Sequence, residues 1–352
     1  MPQGENFWNP YRWVTLGGEE ALREKPNHHH RASGLSGRLR CELTALTPLM
    51  IGNGSGKFVH HASRSPQDAS YIPGTSLKGA IRSLAEVVSH SEDPFNSTHP
   101  DASQLDIVAR TFGYLQKGNV FRGLVRFSDA CLMFTPDRGW QEYEVVAGQP
   151  KPNHQSFYPS KRQRKFYHHH PGTKDLVRAP SNIRQTSTVQ PAPCGTSFAF
   201  TVDFENLREA ELSLLLYCLV LEEQVQVNLR PQCLRPGDRH LVTFQGPMRH
   251  KIGGAKPHGA GSVHIAITHM HLQEDAAARY RGRDSSRIWE EESLRQELVH
   301  RTQAYSRRED QTMNELRAML IYSEDDPRGQ EIRYPAWNWF DRNPTTELKP
   351  TL

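Results

Sequence analysis

The sequence is poor in cysteine: five in 352 residues, widely spaced and with no Cys-x-x-Cys pair. That sets aside a standard zinc ribbon, and the odd, scattered set fits a reduced, cytoplasmic protein. Cys131 and Cys218 fall in apolar runs and are expected to be buried. No apolar stretch approaches the length of a membrane span and no signal-peptide core follows Met1, so no membrane partner is expected. There is no internal repeat, so any repetition must come from assembling copies. A nucleotide P-loop is also missing. The run Gly52-Asn53-Gly54-Ser55-Gly56-Lys57 has Ile51 where the first glycine is needed, and Phe58 where a Ser or Thr must hold magnesium. Acids are scarce where bases gather: from Lys151 to Gln190 there are eight Lys or Arg and one acid, Asp175.

Hydrophobic residues make up 36% of the chain, and the mean hydropathy is −0.69. This composition predicts a modest core carrying long polar loops. The formal net charge of +4 is a weak argument for nucleic acid, so its placement matters more. Arg38 to Met50 alternates and then runs apolar, as a strand does. After Tyr71-Ile72-Pro73-Gly74, a helix opens at Thr75 or Ser76. Leu77, Ile81, Leu84 and Val88 mark its buried face, and Ser91-Glu92-Asp93-Pro94 stops it. Strands are predicted over Gly123 to Phe134, Thr196 to Phe204 and Gly261 to Thr268. Asn206 is placed to cap a helix running through Glu211 and Leu219. The order is βα, β, then βαβ, which is the ferredoxin-like pattern of an α+β protein. A long insertion, about 135–195, separates the second and third strands. Residues 1–37 read as an N-terminal arm and 273–352 as a peripheral region with a mixed-charge helix over Arg287 to Arg307.

Three elements carry cations in patterns that suit phosphate. Lys78 and Arg82 lie one turn apart near a helix start, where the macrodipole favours a bound anion; Ser76 belongs to the same turn. Lys251, Gly253, Gly254, Lys256 and His258 form a second glycine-rich loop before the last strand, with glycines free to let a ligand approach the backbone. In the ferredoxin-like pattern the two elements are expected to face one groove. The insertion interleaves cations and rings, Lys165 and Tyr167 among them, as RNA-binding surfaces do. Gly52, Asn53, Gly54 and Lys57 join the candidate RNA contacts. His168-His169-His170 is expected to be a flexible polar loop. A metal there would need further ligands, and no metal or cofactor is expected.

The segment Ile72-Pro73-Gly74-Thr75-Ser76-Leu77-Lys78-Gly79 resembles the signature of the RAMP superfamily, the RNA-binding backbone proteins of CRISPR effector complexes. The glycine-rich loop before the last strand resembles that family's C-terminal counterpart. The starts Asn9-Pro10-Tyr11 and Lys165-Phe166-Tyr167 resemble a subset related to type III-D subunits. The resemblance implies a ferredoxin-like (RRM-type) core that binds guide RNA, assembles in several copies along it and presents it to a target RNA. It implies other effector subunits as partners and a β-hairpin thumb, placed here in Gly56 to Ser70. The family's catalytic Asp would fall near Phe58, where no acid stands, so cleavage is expected from a separate nuclease of a type VII-like or non-cleaving type III complex. The alternatives are a RAMP ribonuclease using His60, His61 or Asp68 as acid–base groups, and a single-copy subunit capping one end of the guide. Asp129 is read as structural.

Overall fold

The computed structural model describes residues 10–17, 21–52, 70–91, 103–116, 119–137, 140–146, 163–170, 176, 186–229, 242–273, 281 and 286–323. Along the chain come β1 (Tyr11–Thr15), β2 (Leu35–Ala45) and β3 (Tyr71–Ile72), then helices α1 (Gly74–Val88) and α2 (Ile107–Phe112). The strands β4 (Gly113–Gln116), β5 (Asn119–Arg122), β6 (Val125–Phe127), β7 (Ala130–Phe134), β8 (Tyr143–Val146), β9 (Gln163–Tyr167), β10 (Thr186–Val189) and β11 (Ser197–Leu207) follow. After helix α3 (Glu209–Val220) come β12 (Val225–Leu229), β13 (Val242–Gly246), β14 (His250–Lys251), β15 (Ser262–Gln273) and β16 (Ser286–Glu290), and then the helices Glu291–Ser306 and Gln311–Leu320.

The main sheet runs β14-β15-β2-β11-β7-β3, antiparallel throughout, with β6 added on β11 and β16 on β15. Its middle follows from alternation. Leu39, Cys41, Leu43 and Ala45 of β2 point inward while Arg38, Arg40 and Glu42 are exposed, and Phe198, Phe200, Val202 and Phe204 do the same on β11. On β15 the inward set is Val263, Ile265 and Ile267. An irregularity between Ile267 and His269 then shifts the register, so that Met270 and Leu272 continue the buried row. Taking β2, the β6–β7 pair, β11 and β15 as the four strands of the pattern, their order is fourth, first, third, second. This is the ferredoxin-like arrangement, with α1 and α3 as its two helices.

Both helices pack into one core. On α1 the predicted face, Leu77, Ile81, Leu84 and Val88, is buried. Most of α3 beyond its first two residues is buried, because the helix Glu291–Ser306 covers its far side; Tyr305 of that helix sits 5.5 Å from Tyr217 between ring centres. Inside, the Arg110 Nε donates to Glu211 Oε1 at 2.7 Å, a buried pair joining α2 to α3. The helix Gln311–Leu320 is set deep: Met313, Leu316 and Leu320 belong to the same core cluster. It holds the N-terminal strand, with Thr312 Oγ1 donating to the Thr15 carbonyl at 2.7 Å and Arg12 pairing with Glu315 at 3.4 Å.

Several local expectations are corrected. The helix cap is Arg208, not Asn206. Asn206 instead adopts the left-handed conformation (φ 60°) and serves as a buried hub. Its Oδ1 accepts from the Ser33 and Gly34 N–H groups at 2.7 Å, and its Nδ2 donates to the His28 and Arg31 carbonyls at 2.8 Å. The second core strand is broken at Ser128-Asp129 into β6 and β7, and Cys131 is exposed. The start of the helix predicted over Arg287 to Arg307 is instead part of an edge strand on β15, Ser286–Glu290. The three histidines His168, His169 and His170 are buried, so they are packing residues rather than a flexible loop.

Candidate nucleic-acid interface

The loop from Ile252 to Gly261 is folded onto the chain's own backbone. Gly254 N–H donates to the Met50 carbonyl and Gly261 N–H to that of Pro48, at 2.7 and 2.8 Å. Gly253 (φ 77°) would place a Cβ 2.1 Å from the Met50 oxygen, and at Gly261 (φ 89°) a Cβ would lie 2.0 Å from that of Ile252. These two glycines are therefore required by close approach of the chain to itself. The docking brings Gly52, which is exposed, beside Gly253 and Gly254. A small satellite core of Met50, Val145, Leu176, Val189 and Ala260 supports this loop from below, and two of those residues come from the insertion strands β8 and β10.

The insertion also supplies the other wall. Strand β9 pairs antiparallel with β1, setting Lys165 opposite Trp13 and Tyr167 opposite Tyr11. The Lys165 ammonium lies 3.7 Å from the centre of the Tyr11 ring and 4.9 Å from that of Tyr167, while Lys256 Nζ is 5.9 Å from the Tyr167 ring. Lys251 Nζ donates to Ser262 Oγ at 3.1 Å. His169 fixes this serine from the other side: its Nδ1 lies 2.8 Å from Ser262 Oγ and its Nε2 3.0 Å from the Arg249 carbonyl. Among the described residues none of the three lysines pairs with a carboxylate.

The electrostatic result follows. Desolvation, and then the charge of Lys256, hold the Lys251 ammonium well below the usual lysine range. Desolvation and Lys165 bring Lys256 down to about 8. Burial, with Lys251 next, keeps His169 well below its ordinary value, so it is neutral. An anion placed beside these lysines would favour their charged forms and oppose this lowering. Of the two rings beside the lysines, Tyr11 is buried under Lys165 and Tyr167 is half-buried, so Tyr167 is the one that can offer a face to a base.

The other predicted element lies elsewhere. Strand β3, which leads directly into α1, is at the opposite edge of the sheet from β14, with β15, β2, β11 and β7 between them. The expected shared groove is not formed. At the start of α1 the negative charge is supplied internally: Asp129 Oδ1 accepts from Gly74 N–H at 2.9 Å. Asp129 is thus the structural acid it was read to be. Gly74 itself is needed because a Cβ there would come 2.4 Å from the Phe127 oxygen. Lys78 donates to the Val125 carbonyl at 2.9 Å, and its pKa is lowered by burial and by Arg82 and Arg122. Arg82 donates to Glu86 and to the Gly113 carbonyl, both at 3.0 Å. Ser76 is exposed, and Gly79 faces open space. Glu86, buried, also accepts from Arg164 of β9 at 3.1 Å, so the far end of α1 touches the insertion.

The structure thus brings together Gly52, Lys165, Tyr167, Lys251, Gly253, Gly254 and Lys256, with His258 on the same loop, and sets Ser76, Lys78 and Arg82 apart. Asn53, Gly54, Lys57, His60, His61 and Asp68, and with them the proposed thumb, lie outside the described residues. Tyr11 and Ser262 are members of the cluster that the sequence reading missed. The aromatic N-terminal run was the available signal for Tyr11, but its pairing with β9 is a long-range event. Among the described residues no group of His, Cys, Asp and Glu is placed to hold a metal ion, and no helix is long and apolar enough to cross a membrane.

A family model described as the RAMP superfamily matches residues 42–221, just over half of the chain, from β2 to the end of α3. No curated protein matches the sequence. The match covers the ferredoxin-like elements from the first core strand through the second helix and includes the Pro73-Gly74 entry into α1. The chain belongs to the RAMP superfamily, and its role is that of a CRISPR-associated RNA-binding protein.

Proposed function

We propose that this chain is a backbone subunit of a CRISPR effector complex, binding guide RNA through its sugar-phosphate chain and repeating along it in several copies. The observation that carries the reading is the acid-free group Lys165, Lys251 and Lys256 set around Tyr11 and Tyr167, in a chain of this family. Lysines serve as point charges for phosphates and carry no base-specific code, so binding is largely independent of sequence. Guide RNA, the target RNA paired to it, further copies of the chain and other effector subunits are the partners. Cleavage of the target belongs to a separate nuclease, since Phe58 stands where the family's catalytic Asp is expected.

Native mass measurement of the chain bound to guides of increasing length tests this. The mass should rise in steps of one protein per fixed increment of nucleotides, and a matched target should stay intact over hours with and without Mg²⁺. A strict one-to-one complex on long guides contradicts the backbone role. Regular cuts that vanish in Asp68→Ala or in His60→Ala/His61→Ala contradict the division of labour.

A further inference from the structure

On the α1 side of the molecule a second basic strip lies apart from the lysine–tyrosine cluster. The hub Asn206 pins the segment His28 to Arg31 by its two carbonyl contacts at 2.8 Å. Within that segment the exposed rings of His28 and His30 stack, 5.3 Å apart and tilted by 24°. His28 meets the buried Phe121 of β5 edge-on at 6.2 Å. His29 is held between Glu205, at 3.3 Å, and the Arg122 carbonyl, at 3.1 Å. Arg122 lies close enough to Lys78 to depress its charged form. Arg126 of β6, 57% exposed, stands opposite Asp203 and lies 4.0 Å from the same Glu205. Among the described residues neither Arg31 nor Arg122 pairs with a carboxylate, and both are exposed.

Ordinary solvated charges need no such scaffolding. Here a buried, left-handed asparagine fixes a short loop so that two imidazole faces stand beside three guanidiniums. Fixing the loop in advance lowers the ordering cost of binding. Guanidiniums match phosphates, and stacked imidazoles offer a surface to bases. We propose that the strip formed by His28, His30, Arg31, Arg122 and Arg126 is a second binding track for single-stranded RNA, continuing from Lys78 across β5. The inference rests on the backbone reading, and the strand is either an outlying stretch of the guide or the target.

The test uses the full chain and fluorescently labelled RNA in two arms: bare chain with guide RNA, and guide-loaded chain with complementary RNA. Arg31→Ala/Arg122→Ala should weaken binding about tenfold in one arm and flatten the slope of log affinity against log salt by about one to one and a half units. His28→Ala/His30→Ala should weaken it about tenfold in the same arm with little change in slope, and His28→Phe/His30→Phe should restore it. The arm that responds identifies the strand. Urea midpoints equal to wild type confirm that these surface variants fold. If both alanine variants bind as wild type in both arms while Lys165→Ala/Lys256→Ala loses affinity, the strip is no RNA track and the backbone reading stands. Unchanged RNA binding with lost association between copies makes it a protein surface and equally overturns the inference. A wild-type chain that binds RNA in neither arm overturns the backbone reading itself.

Discussion

Gly253 and Gly79 both belong to the family-like segments, yet opposite outcomes are expected on substitution. Gly253 combines φ 77° with a backbone oxygen 2.1 Å from any added Cβ, so Gly253→Ala should cost about 2 kcal/mol or more in urea unfolding. Gly79 lies inside α1 with open space around its missing Cβ, so Gly79→Ala should stabilise by about 0.5–1 kcal/mol. At the same scale Lys256 gives a pH signature. Its folded value is lowered to about 8, below the unfolded lysine value of about 10.4. Between those two values the unfolded chain holds a proton that the folded chain has lost, so without RNA the stability rises with pH across that window. Phosphate binding favours the protonated form, so RNA affinity should move the other way, falling as pH passes about 8. Titration of affinity and urea midpoint from pH 7 to 10 should show both trends, each reduced in Lys256→Met.

At the scale of elements, the entry into α1 is a strand, a glycine at a close approach, and a carboxylate from the break between β6 and β7. Asp129→Ala removes the acceptor of Gly74 N–H and should cost about 1 kcal/mol, read as a lower thermal midpoint with the fold retained. The buried face of α1 and the cores of β2, β11 and β15 were legible because each repeats apolar residues at the period of its own element. What failed to show was non-local. Asn206 precedes a helix and is of cap type, but its partners, Ser33 and Gly34, lie far back in the sequence. Cys131 sits in an apolar run on an edge-ward strand whose other face is open. His168 to His170 look like a polar loop, and it is long-range packing, including that of β9 against β1 and of His169 against Ser262, that buries them. The candidate site divides likewise. Its lysines and glycines stand in recognisable loops, whereas the distance between those loops is set by strand order, which puts β14 and β3 at opposite edges.

For the whole molecule, the insertion and the two ends of the chain converge on one region. β9 and β1 pair, the helix Gln311–Leu320 holds β1, and β8 and β10 support the glycine loop. The proposed RNA-binding cluster therefore draws on residues outside the matched 42–221, namely Tyr11, Lys251 and Lys256. The most direct test of the central claim is the salt dependence of affinity for three unrelated single-stranded RNAs, with wild-type chain and Lys165→Ala/Lys256→Ala. Wild type should bind all three with similar affinity. The variant should lose about tenfold or more on each, with the slope of log affinity against log salt flatter by about one to one and a half units. Equal affinity and slope for variant and wild type, or a loss confined to one sequence, would contradict the account.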